Sequence, residues 1–234
     1  MKPQQVFARL TDPFQRMGFG GGLYYLAVRA LSRLSGDRIK MIRYHFVAQP
    51  VPADAGPVRT SERSPIRQIG ADDPLVAQFP RSGKVLARRF GNADECFAAQ
   101  VGDRFAGYLW LAYAHYDEDT VRARYILDDP TRSAWDYDVY VDPDFRMGRT
   151  FSRLWSAANH HLAQKGVRWS FSRIDAANPA SLDSHRQLGV QLLHSATFLL
   201  VGRWQLTLAS IRPFIHVSGK PEDVPRFVLK PPAP

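Results

Sequence analysis

Apolar and polar positions divide this chain into segments with distinct periods. Trp135 to Val141 alternates, as a half-buried strand does, and Asp142-Pro143-Asp144 ends it as a turn. From Phe145-Arg146-Met147-Gly148-Arg149-Thr150 the pattern becomes helical. Phe151, Leu154, Trp155, Ala158 and Leu162 form a stripe that would face a sheet. Gly166 stops this helix, Val167 to Ile174 reads as a second strand, and Asn178-Pro179-Ala180-Ser181 opens a short helix closing at Leu188-Gly189. Strand, helix, strand and helix in that order predict a βαβα unit, and the rest of the chain is organised around it.

Upstream, residues 1–12 read as a short helix or a disordered end, broken at Asp12-Pro13. Residues 14–34 carry an amphipathic pattern in which Leu23, Leu26, Ala27, Ala30, Leu31 and Leu34 share a face opposite Arg29 and Arg33. Such a helix either packs on the flank of the domain or lies on a membrane surface. Arg38 to Val47 reads as a strand, and residues 1–49 as an N-terminal appendage. The Pro-, Ala-, Arg- and Ser-rich residues 50–64 read as a linker to a main domain at 65–219. In that domain Pro65–Ile69 is a first strand and Asp73–Phe79 a helix or turn. Glu95–Val101 and Arg104–Leu111 form a hairpin around Gly102-Asp103. His115 to Pro130 reads as an irregular loop, Gln191–Ser195 and Thr197–Leu206 as two antiparallel strands, and 220–234 as a Pro-rich extended tail.

The 234 residues carry a net charge of +9. Such a charge suits polyanionic partners: nucleotide cofactors, acidic carrier proteins, nucleic acid or anionic membrane. Against nucleic acid stands the lack of a dense Lys/Arg tract. A single cysteine, Cys96, excludes an intramolecular disulfide and a multi-Cys zinc site, which fits a reducing cytoplasm. The sequence has no apolar run long enough to span a membrane, and Arg9, Arg16 and Arg29 interrupt any signal-peptide core. A peripheral place at the inner face of a membrane remains open through residues 14–34.

Candidate chemistry concentrates in the βαβα unit. A helix beginning near Gly148 or Arg149 leaves N–H groups unpaired and a positive dipole end, and Arg146, Arg149 and Arg153 add charge within about two turns. The pattern suits a pyrophosphate. In order and spacing, Val141-Asp142-Pro143, Arg146, Asn178-Pro179-Ala180-Ser181 and Leu188-Gly189-Val190 resemble the GNAT superfamily of acyl-CoA-dependent N-acyltransferases, over roughly residues 65–205. The resemblance implies an α/β (α+β) fold with a mixed, mostly antiparallel central sheet flanked by helices. It also implies acetyl-CoA or another acyl-CoA as cosubstrate, with no metal. Val139, Val141, Arg146, Met147, Gly148, Arg149, Thr150, Phe151, Asn178 and Ser181 would hold that cosubstrate. The family's two turn glycines fall on Arg149 and Phe151, with Gly148 one residue early. That departure leaves open an altered donor site, including an acyl carrier protein as donor, or a binding module without catalysis.

For acyl transfer, Asp136 or Asp138 would take the proton of an amine acceptor, a small molecule, lipid or sugar. In a regular strand both carboxylates share a face with Tyr140, and their repulsion would raise one pKa. The resemblance places His185 where the family often has a tyrosine acid for the leaving thiolate. Asp136-Tyr137-Asp138 is also a DxD, but lies mid-strand without further metal ligands. His160 and His161 point about 100° apart on a helix, and Cys96 reads as core. Trp110, Tyr113, His115, Tyr116 and Tyr125 are core aromatics or the lining of an acceptor pocket.

Overall fold

The computed structural model describes residues 3–36, 38–57, 61–186 and 189–232. In chain order the elements are α1 (Pro3–Ser35), β1 (Ile39–Pro50), β2 (Ile66–Ile69), α2 (Gly83–Gly91), β3 (Glu95–Val101), β4 (Arg104–Ala112), β5 (His115–Asp117) and β6 (Arg124–Leu127). They continue as β7 (Ser133–Val141), α3 (Thr150–Gln164), β8 (Trp169–Asp175), α4 (Pro179–Arg186), β9 (Gln191–Val201), β10 (Trp204–Ala209), β11 (Ile215–Ser218) and β12 (Arg226–Leu229). Single 3-10 turns fill Pro74–Gln78 and Pro143–Phe145.

Nine strands form one sheet in the order β11-β10-β9-β1-β8-β7-β4-β3-β2, and β12-β6-β5 form a second. Every neighbouring pair in the large sheet is antiparallel except β7 and β8. The fold is therefore mixed α+β with a mostly antiparallel central sheet.

The alternation that marks the strands also builds two cores, one on each face. On one face the stripe of α3, Leu154, Trp155, Ala158 and Leu162, packs on Ala106, Leu109, Leu111 and Ala134. On the other the small sheet brings Tyr125, Phe227 and Leu229 against Phe46, Trp135, Phe171 and Phe198. Glu95 ties the end of α3 to β3, accepting from Tyr113 Oη at 2.5 Å and Lys165 Nζ at 2.6 Å and meeting His161 Nε2 at 2.8 Å. Cys96 is fully buried.

The structure departs from the expectations in several places. β1, read as part of an appendage, is an interior strand between β8 and β9, so residues 50–64 connect two strands of one sheet. Local alternation marks a strand without naming its neighbours. The residues read as an irregular loop contain β5 and β6, and the tail contains β12, which pairs in parallel with β6. These strands are three or four residues long, too short for a period to stand out. Gln191 to Val201 is one strand, and its hairpin to β10 turns at Gly202-Arg203, with Gly202 at φ 55°. α1 passes through Asp12-Pro13 and breaks instead at Gly18, at φ 70°. The face read as its apolar side is largely outward: Leu23 and Leu34 are exposed, while Tyr24, Leu26, Val28 and Leu31 are half-buried. α2 has no counterpart in the sequence reading. Its run from Lys84 to Phe90 mixes arginines with four apolar residues, and Ser82 caps it through Val85 N.

Candidate active site

β7 and β8 pair only over Ser133–Trp135 and Trp169–Phe171. Beyond that point β7 follows β4 and β8 follows β1, so the two parallel strands diverge and open a cleft. A second irregularity shapes its wall. The register of β4 on β7 slips between Tyr108, opposite Tyr140, and Trp110, opposite Tyr137. Asp138 and Val139 thus share one position across from Leu109, a β-bulge, and Asp138 takes φ 48°. Gly107 makes room for the bent strand. A Cβ there would lie 2.5 Å from the Tyr140 carbonyl oxygen and 3.3 Å from Leu154 Cδ1. Gly107→Ala is therefore expected to destabilise the protein by about 1–3 kcal/mol, read as a lower urea midpoint, because a strand backbone has to move.

The cleft leads to a cavity of about 690 Å³, lined among others by Asp136, Val139, Ser172, Ser181 and His185. Asp136 and Ser170 are essentially sealed from solvent, on the α3 side of the sheet. Ser170 Oγ donates to Asp136 Oδ2 at 2.7 Å. Burial pushes the Asp136 carboxyl up, nearby His185 and the hydroxyls of Ser170 and Ser172 draw it back, and the result is about 6. His185, also buried, has its Nδ1 2.7 Å from the Ser181 carbonyl oxygen. A carbonyl only accepts, so Nδ1 carries the hydrogen and, in the neutral ring, Nε2 is the acceptor. The ring stands edge-on to Trp155 at 5.8 Å. A carboxylate that titrates near neutrality, beside an oriented imidazole, can take and return protons.

Asp138 is different, and the expectation that it shares a face with Asp136 is corrected. The bulge turns it to the opposite side of the sheet, where Tyr108 Oη reaches it at 3.0 Å, Arg89 Nη1 at 2.6 Å and Arg81 Nε at 2.9 Å. Burial raises its carboxyl, but the hydrogen bonds from Arg81 and Arg89 outweigh that and leave it below the usual carboxylate range. Locked as an anion by three donors, Asp138 is unsuited to act as a base. It holds the bulge. The same geometry separates the two carboxylates of the DxD, and among the described residues no group of His, Cys, Asp and Glu is arranged for a metal.

Arg89 was missed in the sequence because an arginine in a basic helix normally faces water. Its side chain is only 4% exposed, bridging Asp138 and Asp119 with its guanidinium over Trp110 at 5.3 Å and Tyr137 at 4.9 Å. Ser170 and Ser172 were missed too. Polar residues alternating through an otherwise apolar strand were the available signal. Of the aromatics considered, Tyr116 reaches the cavity wall, Tyr113 and His115 line a smaller adjoining hollow of about 250 Å³, and Trp110 and Tyr125 are core.

At the basic turn, a 3-10 turn over Pro143–Phe145 leads to α3, and Arg149 precedes the helix without a side-chain cap. The first-turn amides are left to external acceptors. Met147 is fully exposed, Gly148 and Arg149 are exposed, Thr150 is buried and Phe151 half-buried. Arg149 sits at φ −92°, ψ 9°, and Gly148 is not at positive φ, so the shifted glycine costs the turn no strain. This turn fits a diphosphate in its amides and exposed charge. Arg146 turns back instead, its Nε donating to the Val141 carbonyl at 3.1 Å, and Arg153 donates to the Ser64 carbonyl. Asn178 Oδ1 accepts from Ser181 N at 3.1 Å, capping α4. Leu188 lies outside the described residues.

No family model and no curated protein matches the sequence. Solved structures similar to this one are GNAT acetyltransferases among others. An aminoglycoside acetyltransferase from an uncultured soil metagenomic sample shares 17% identity over 54% of this chain and 87% of its own, with a TM-score of 0.39. A tandem GNAT protein from the clavulanic acid biosynthesis pathway shares 14% over 73% and 57%, with a TM-score of 0.48. A GCN5-related glucosamine N-acetyltransferase region of a fungal multi-domain β-N-acetylglucosaminidase shares 17% over 71% and 22%, with a TM-score of 0.43.

Proposed function

We propose that this chain is a GNAT-type N-acyltransferase that moves an acetyl or longer acyl group from acyl-CoA to an amine by direct attack. The observation that carries this reading is Asp136, buried at the point where β7 and β8 part, with its carboxyl near 6 and His185 beside it. The cosubstrate supplies a thioester carbonyl activated for attack. The first-turn amides of α3 and the Arg149 guanidinium hold its diphosphate, and the strand end at Val139–Val141 aligns the acyl arm. Asp136 accepts a proton from the incoming ammonium. The free amine then attacks the carbonyl carbon, Nε2 of neutral His185 takes the second proton from the attacking nitrogen, the C–S bond breaks, and His185 passes that proton to the leaving sulfur, while Asp136 releases its own to solvent. Asp138, Arg81 and Arg89, which line the same cavity, keep the bulge in shape.

Isothermal titration with acetyl-CoA and longer acyl-CoAs tests the donor. Saturable binding that weakens about tenfold in Arg149→Ala is expected, from the loss of one charged phosphate contact. Heat only with an acyl-loaded carrier protein would move the donor to that carrier. No binding by either would remove the acyltransferase reading.

A further inference from the structure

The large sheet leaves one face bare at its C-terminal end. Through the registers of β9, β10 and β11, Val201, Trp204, Leu208, Ile215 and Val217 fall on one side, opposite the buried Phe198, Gln205 and Thr207. Their exposures are 44%, 49%, 47%, 68% and 56%, which is unusual for apolar side chains on adjacent strands. Trp204 is held flat: its ring lies 2.6 Å from where a Cβ on Gly219 would stand, and the Arg203 guanidinium sits 5.1 Å above it. α1 packs along β1, the strand next to β9, and turns Leu23 and Leu34 outward, 56% and 89% exposed.

Charge selects the occupant. Residues 3–50 and 191–218, which supply these elements, contain Arg9, Arg16, Arg29, Arg33, Arg38, Lys40, Arg43, Arg203 and Arg212 against Asp12 and Asp37. They hold seven of the nine net positive charges of the chain. A second copy would have to meet this surface with the same surface, setting arginines against arginines with almost no carboxylate between them. An anionic lipid surface complements both features. It takes apolar side chains and a tryptophan at the headgroup level and attracts the surrounding cations.

We propose that this face docks the protein on anionic membrane, with Trp204, Leu208, Ile215 and Val217 entering the interface and Arg203 and Arg212 pairing with lipid phosphates. Docking is peripheral. No helix among the described residues is long and apolar enough to cross a bilayer.

Co-sedimentation of the full chain with vesicles of phosphatidylglycerol and phosphatidylcholine tests this, against vesicles of phosphatidylcholine alone. Binding to the mixed vesicles that weakens with salt, and falls about tenfold in Leu208→Glu/Val217→Glu, is expected. If that double variant misfolds by circular dichroism, Leu34→Glu reads the same surface from a side chain already in water. Equal binding to both vesicles, no binding to either, or unchanged binding in the folded variants overturns the proposal. So does a wild-type dimer by analytical ultracentrifugation that the double variant splits, because the face then belongs to a second copy.

Discussion

Asp136→Asn is expected to lower kcat/KM by about 10²–10⁴, the usual worth of a positioned general base, while acyl-CoA binding measured by calorimetry stays within about threefold of wild type. In the wild-type protein kcat/KM should rise with pH through about 6, where Asp136 loses its proton, and this limb should vanish in the variant. Stability should move the other way. The folded carboxyl keeps its proton to about 6, whereas an unfolded aspartate releases it near about 3.9. Its contribution is therefore fully present below the unfolded value and is lost as pH rises through about 6. The amide that replaces the carboxyl has no such titration. The variant should gain on wild type between roughly pH 4 and 7, by on the order of 2 kcal/mol, in urea denaturation at the two pH values. A variant as active as wild type at neutral pH would end the assignment of Asp136 as base. A variant that is inactive and less stable at pH 7 would mark it as structural.

Arg89→Met should be the most damaging substitution outside the apolar core. Removing one partner of a buried ion pair typically costs about 3–5 kcal/mol, because the remaining charge stays in a dry environment. Here Asp138 and Asp119 would both lose a cation, and Trp110 and Tyr137 the guanidinium stacked on them. Thermal unfolding should show a loss of several degrees or more. The double variant Arg89→Met/Asp138→Asn should recover part of it, since the stranded carboxylate is gone. A loss under about 1 kcal/mol, or no recovery, would mean that the bulge does not depend on this pair.

The unit from Trp135 to Ile174 was legible in the sequence because each element carries its own period: alternation in β7, the stripe of Leu154, Trp155 and Ala158 in α3, and Gly166 as a stop. The hairpin of β3 and β4 was legible for the same reason, with Gly102-Asp103 at its turn. What depends on pairing over long separations was not. β1 read as a strand, but its insertion beside β8 is written in no local pattern. The bulge escaped as well. Regular alternation puts Asp136 and Asp138 on one face, and a slip of one residue opposite Leu109 sends them to opposite faces. The site divides accordingly. Asp136, Asp138 and His185 all line one cavity, but Asp138 is a pinned anion there, Arg146 and Arg153 turned to backbone carbonyls, and Asn178 became a helix cap.

The placement of β1 also sets an order of events during synthesis. The strand behind the β8 wall of the cleft, β1, leaves the ribosome well ahead of both strands that flank it, β8 and β9. Until they arrive, β1 presents two unpaired edges and a row of apolar side chains including Phe46, and the nascent protein has to keep them from other chains. Closure around so distant a pairing is slow. A site that straddles the β7–β8 parting can exist only once that late closure is complete, so a chain cut short before β9 would carry most of the site's residues and none of its shape.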